Sequence, residues 1–262
     1  MMRYLTLLGL QLRKSATLAM QYRWDFVVSG ALALLWTAAG LVPFHIAFHG
    51  RPPVGGWTYE SALVVVGFFT LLRGVLDGAV NPSLLSVVQQ IREGTLDFVL
   101  LKPADAQFLV STTKFEVFRV LDALAGLGLV TFAFVRLGHA PSAAGVLTAL
   151  VMLVAATVVL YSIWILVIAA AFWVVRVDNL AYLFDSIFDF ARWPVSVFKG
   201  IWKFVFTFVI PLGVMTTYPA EALLGALATE TAVASIFGAT ALAVAARAVW
   251  TRAIGHYTSA SS

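Results

Sequence analysis

Six apolar stretches, each long enough to cross a lipid bilayer, constrain this chain more than any other feature. A crossing needs about 20 predominantly apolar residues, and such stretches lie near 26–48, 59–80, 116–136, 146–175, 200–218 and 231–253. The fourth is longer than required, which predicts a tilted or projecting helix. Only 11% of the 262 residues are charged, against roughly 25% in a soluble domain. Such a chain cannot cover itself with polar surface, so its solvent is lipid. There the backbone must satisfy its own hydrogen bonds, and helices do so within one segment. The expectation is an all-α, polytopic membrane protein, a single domain over residues 1–262 with no internal repeat.

Orientation follows from the basic residues. The connections HGRPPVGGWT and GHAPSAAG, after the first and third spans, are short turns rich in glycine and proline. Those after the second and fourth are long and charged. Arg3, Arg13, Lys14, Arg23, Arg73, Arg92, Lys102, Lys114, Arg119, Arg176, Arg192, Lys199, Lys203, Arg247 and Arg252 are assigned to one side. Only Arg51 and Arg136 remain for the other. The positive-inside rule then places both termini in the cytoplasm. The net charge of +4 thus reports orientation, and nucleic acid is not an expected partner. Arg13 and Lys14 also interrupt any apolar core of a cleavable signal. Around them, residues 3–21 read as amphipathic. Tyr4, Leu5, Leu8, Leu12, Ala16 and Ala19 recur on one face; Arg3, Thr6, Arg13, Lys14, Thr17 and Gln21 fall on the other. This predicts an interfacial helix within 1–25, lying in the cytoplasmic headgroup layer and feeding the first span.

The region 81–105, NPSLLSVVQQIREGTLDFVLLKPAD, is polar enough to stand apart from the spans around it. Asn81 can cap a helix whose first turn holds Pro82, which needs no N–H there. Leu84, Val87, Val88 and Ile91 line one face; Ser86, Gln89, Gln90 and Glu93 line the other. Gly94 is placed for the left-handed turn that stops the helix. Thr95 and Asp97 can cap a second short turn carrying Leu96, Phe98, Val99, Leu100 and Leu101, which Lys102-Pro103 breaks. Asp105 then starts the helix that becomes the third span. The prediction is an elbow with one face on the membrane domain and one face open.

Several chemistries lack their residues. There is no cysteine, so disulfides, thiolate metal sites and cysteine nucleophiles are absent. His45, His49, His139 and His256 have no second ligand at metal spacing. No G-x-S-x-G appears. Arg73 with Asp77, and Arg119 with Asp122, are spaced to pair on helices and read as charges at the cytoplasmic ends of the second and third spans. There they anchor, or transmit motion. With no ionisable group expected at mid-depth, proton or sodium coupling has no binding residue. No G-x-x-x-x-G-K-[ST] is present either, so no phosphate cradle exists here and no cofactor is expected on this chain. Any use of ATP falls to a separate polypeptide. Pro211 can kink the fifth span. Pro211, Tyr218, Pro219 and Glu221 read equally as an outer gate or as a plain extracellular loop. The phenylalanines between 184 and 208 read as interface anchors or as an aromatic route.

IREGTLDFVLLKP resembles the signature that follows the second span in ABC-2 type exporter permeases. The shared pattern is Ile, Gly, a Leu–acid pair and Leu-Leu-x-Pro. A second stretch, ARWPVSVFKGIWKFVFTFVIPLGVMTTYPAEALLG, resembles that family's Arg-aromatic-Pro motif, its Ile-Pro and its Pro-Ala-x-x-Leu-Leu-Gly turn. These fall on Arg192, Trp193, Pro194, Ile210, Pro211, Pro219, Ala220, Leu223, Leu224 and Gly225. The likeness is greatest to the small six-span subgroup often produced as permease pairs. It implies that Ile91, Arg92, Glu93, Gly94, Thr95, Leu96, Asp97 and Pro103 form a coupling element that docks on an ATP-binding subunit. It further implies a non-catalytic permease paired with an identical or sister chain. Two ATP-binding subunits would carry the ATP and Mg, and the cargo would be a hydrophobic or amphiphilic solute, exported across the cell membrane. The alternative classes are a passive channel or scaffold without an ATPase partner, and a proton-driven carrier.

Overall fold

The computed structural model describes residues 2–21, 23–48, 50, 52–173 and 178–256; His49, Arg51 and Arg176 lie outside them. Among the described residues, five long helices are apolar enough to cross a membrane: α2 (Arg23–Phe48), α3 (Tyr59–Glu93), α6 (Val117–Leu137), α7 (Ala143–Phe172) and α11 (Thr229–Gly255). Around them lie α1 (Met2–Gln21), α4 (Asp97–Leu100), α5 (Ala106–Ser111), α8 (Asp178–Phe188), α9 (Gly200–Val209) and α10 (Gly213–Leu223). No strand occurs among the described residues; an isolated bridge between Val54 and Trp57 closes the turn before α3. The expected all-helical membrane architecture is present.

Helix ends follow local chemistry. Thr58 and Ser61 form a reciprocal capping box at the start of α3. Ser142 caps α7 by accepting from the Gly145 N–H at 3.0 Å. α3 and α7 are the buried pillars of the bundle, whereas α2 and α11 are largely exposed. α3 meets α6 along glycines: a Cβ on Gly126 would lie 2.6 Å from the Gly67 carbonyl oxygen. Without a hydrophobic force between helices in lipid, such close backbone approach supplies the packing.

The expected elbow helix is not a separate element. α3 runs through its site without a stop: a π turn at Leu76–Val80 leads straight into the helix Asn81–Glu93. Asn81 is helical and caps nothing. Its amide instead donates to Asp77 at 3.0 Å and accepts from the Trp164 indole. The π turn explains the continuity, because Pro82 would clash with the residue 78 carbonyl in a regular α-helix. Nor does the helix begun at Asp105 become the third span. α5 stops at Ser111, and the chain re-enters at Val117.

The largest departure concerns the fifth crossing, expected at 200–218. Phe172 packs on Trp250 with ring centroids 5.9 Å apart, so α7 and α11 finish together, at the end that holds the elbow. From there residues 178–197 climb the bundle. Asp185 reaches Arg73, Phe188 stacks on Phe69 at 5.2 Å, and Trp193 packs on Phe44 and Phe48. At the top, the Trp57 indole donates to the Ser196 hydroxyl at 2.9 Å, and that hydroxyl donates to the Gly55 carbonyl. Residues 178–197 therefore make the fifth traverse. α9 and α10, bent by 71°, begin and end at the far side: a Cβ on Gly145 at the start of α7 would lie 3.0 Å from the Ala222 carbonyl. The pair is re-entrant. Arg192, Lys199 and Lys203 consequently leave the elbow end, although most basic residues remain there.

Candidate functional site

The elbow is built as its sequence suggests in outline. Gly94 takes a left-handed conformation (φ 68°) and stops α3. The Thr95 N–H then donates to the Gln90 carbonyl at 2.9 Å. Leu96 is fully buried and pins the turn, and Ile91 packs on the same core. Neither Thr95 nor Asp97 caps α4, because Leu96 occupies that position with no side-chain cap. Gln89 donates to Glu93 across one helical turn at 2.7 Å, and Arg92 and Asp97 are both engaged in contacts. The outward face carries Phe98 and Leu101, 70% and 80% exposed, just before the break at Pro103. Behind them, the Ser83 hydroxyl donates to the Lys114 carbonyl at 2.7 Å and accepts the Lys114 N–H at 3.0 Å. The elbow is thereby clamped to the approach of α6.

Asp105 caps α5 as expected, accepting from the Phe108 N–H at 2.9 Å, and also pairs with Arg247 of α11. The Arg247 hydrogen bond holds its carboxyl below the ordinary carboxylate range. A depressed folded-state value means that the contact stabilises at pH above the unfolded carboxylate's titration, and is lost as pH falls through the folded one. Asp105→Asn is therefore expected to lower the unfolding temperature at pH 7 and to leave it close to wild type at the acid end of the titration. Thermal unfolding in detergent across that range checks this.

A second constellation sits at the middle of the elbow-side half of the bundle. Arg73 bonds Asp77 at 2.9 Å, Asp185 at 3.0 Å and Asp189 at 3.5 Å. Arg119 reaches Asp77 at 3.3 Å and Asp122 at 3.1 Å, and Arg192 bonds Asp189 at 2.9 Å. The two sequence-predicted pairs are thus one network, joined by Asp185, Asp189 and Arg192 from the fifth traverse. Asp185 and Asp189, expected in the charged connection after the fourth span, instead meet Arg73 about 21 Å along α3 from Tyr59 at 1.5 Å per residue. The missed acids had a signal: Asp185 and Asp189 are one helical turn apart, and Arg192 follows within the next. The network borders a cavity of about 710 Å³ between α2, α3, the start of α6 and the Asp189–Arg192 turn. Trp36, Phe44, Phe69 and Phe118 give it aromatic walls, and the Arg192 guanidinium lies 5.1 Å over the Phe69 ring.

The residues considered for an outer gate lie on the re-entrant pair, away from both sites. Pro211 falls in the break between α9 and α10. The Tyr218 ring covers Gly213, where a Cβ would lie 3.1 Å from it. Pro219 occupies the first turn of the final helical segment, and the Glu221 carbonyl accepts from Ala226 and Leu227 to close the turn at Gly225. Thr216 and Thr217 stitch this pair to the fifth traverse, through the Ala191 carbonyl at 2.6 Å and the Val195 N–H at 3.0 Å.

No group of three metal-ligating side chains occurs among the described residues. In comparison with known proteins, a family model described as ABC-2 family transporter protein matches residues 34–261. No curated protein and no solved structure matches the chain.

Proposed function

The chain belongs to the ABC-2 transporter family and is a transmembrane permease of an ABC transporter; from that premise we propose that it is the passive lever of an ATP-driven exporter. A separate ATP-binding subunit, in two copies, binds the ATP and Mg. The permease pairs with an identical or sister chain, with the elbow end and both termini in the cytoplasm. The cargo is a hydrophobic or amphiphilic solute. The observation that carries this reading is the continuity of α3. Its 35 residues extend about 52 Å, from the far end of the bundle, past the ionic network, to the elbow. A push at 91–103 is thereby delivered to the cavity without a hinge. Such a device works only if the two states differ in their contacts with the partner, and the elbow is where those contacts form.

Phe98 and Leu101 supply the docking grease. Burying each against a partner contributes about 1.5–3 kcal/mol, so Phe98→Asp together with Leu101→Asp is expected to reduce co-purification of the ATP-binding subunit at least tenfold. The unfolding temperature of the permease should not change, because both side chains are exposed in it. Pull-down of the tagged chain from mild detergent measures this. Recovery of the unmutated chain without any ATPase would leave the passive channel or scaffold reading in its place.

A further inference from the structure

A second cavity, about 420 Å³, lies between α1 and the elbow. α1 contributes Gln11 and Lys14; the end of α3 contributes Gln90, the elbow Thr95, and the segment after α4 Lys102. Its two charged groups are both ammonium groups, no carboxylate lines it, and neither lysine is ion-paired among the described residues. The Oε1 atoms of Gln11 and Gln90 are buried without a hydrogen-bond partner. Unmade bonds of this kind are uncommon in native interiors, and a donor entering the cavity relieves both after a small side-chain rotation. Val99 and Leu109 add an apolar wall. The site therefore asks for a ligand with one anionic group for the lysines, hydroxyl donors for the amides, and an apolar continuation.

α1 also says where that ligand comes from. Its protein-facing stripe is Tyr4, Leu8, Gln11 and Ser15, so that Tyr4 and Leu8 of the apolar face turn inward while Leu5 and Leu12 do not. Tyr4 packs edge-on to Phe108 at 4.8 Å and accepts the Asp105 N–H, while Ser15 accepts the Phe115 N–H at 3.1 Å. Leu5, Leu10, Leu12, Leu18 and Met20 are left exposed, which places α1 in the headgroup layer. We propose that this cavity binds the headgroup of an anionic, hydroxyl-bearing glycerophospholipid, of the phosphatidylglycerol type, and that the bound lipid ties α1 to the elbow. The assignment is independent of cargo and of ATP coupling.

The purified full chain, exchanged into phosphatidylcholine nanodiscs doped with phosphatidylglycerol, tests it by counting retained anionic lipid with native mass spectrometry. One phosphatidylglycerol per chain is expected at low doping. Lys14→Gln with Lys102→Gln should weaken retention at least tenfold, from the loss of two charge-assisted hydrogen bonds to one phosphate. Arg13→Gln, next to Lys14 but outside the cavity, should change it less than twofold. Phosphatidylmethanol, a phosphodiester with the same single charge but no headgroup hydroxyl, should bind more weakly, and Gln11→Leu with Gln90→Leu should erase that difference. An Arg13→Gln effect equal to the loss from Lys14→Gln alone would reduce the site to unspecific surface attraction and overturn the proposal. Equal occupancy by free glycerol phosphate would overturn the lipid assignment in favour of a soluble ligand.

Discussion

Arg73→Gln is expected to destabilise the folded permease by about 3–5 kcal/mol, the cost of stranding buried charge when one partner of a buried network is removed. The balance of charges decides which residue matters most. Four carboxylates (Asp77, Asp122, Asp185 and Asp189) face three guanidinium groups (Arg73, Arg119 and Arg192). Losing Asp77 leaves equal numbers, with Arg73 still on Asp185 and Arg119 still on Asp122. Losing Arg73 leaves twice as many acids as bases and removes every guanidinium contact of Asp185. Asp77→Asn should therefore cost clearly less than Arg73→Gln, and Asp185→Asn introduced into Arg73→Gln should recover part of the loss. Chemical or thermal unfolding of the four variants as a double-mutant cycle gives the coupling directly. An Arg73→Gln protein as stable as wild type would mean that the network is hydrated and does no structural work. Because Arg73 and Asp77 lie on α3 while Asp185 and Asp189 lie on the fifth traverse, the same cycle also tests whether that traverse is held to the lever by charge.

Hydropathy was sufficient to locate the five long helices, because each is a long apolar run, and Thr58, Ser142 and Gly138 cap three of their ends. It was insufficient for the fifth traverse for a physical reason. Residues 178–197 carry acids whose partners, above all Arg73, lie more than a hundred residues away in sequence, so the segment looks too polar to enter lipid. The more apolar run 200–218 looks like a span yet folds back on itself at Ile210–Leu212, where Pro211 withholds an N–H. The elbow was legible through Gly94 and Asp105, whose roles are local. The identity of its cap was not, nor was the fusion of Asn81–Glu93 with the span before it. A proline after an asparagine signals a helix start, and only the π turn at Leu76–Val80, set by tertiary packing, lets the helix continue through it. On α1 periodicity marks an apolar face whose Leu5 and Leu12 stay exposed, but it carries no sign of Gln11 and Ser15, polar groups that face the protein with a cavity or a partner to serve.

Gly126→Ala should be the smallest change that separates the second and third spans. A methyl group there would lie 2.6 Å from the Gly67 carbonyl oxygen and 2.9 Å from the Leu71 nitrogen. Both are backbone atoms of α3, so no side-chain rotation relieves the overlap and the helices must part. Overpacking of this kind costs about 1–3 kcal/mol, against a gain of up to about 1 kcal/mol from replacing glycine by alanine within a helix. Gly128, two residues on, has nothing within 4 Å of a would-be Cβ, so Gly128→Ala keeps the gain without the overlap. Unfolding measurements should find the first variant less stable than wild type and the second equal or more stable. The functional consequence separates the lever from its docking site. Gly126 lies far along α6 from the elbow, so Gly126→Ala should still bring down the ATP-binding subunit in full amount. Transport should nevertheless fall, because the seam through which α3 carries α6 has been opened. If Gly126→Ala proteoliposomes transported at the wild-type rate, α3 and α6 would not move as one body, and the push on the elbow would have to reach the cavity by another path.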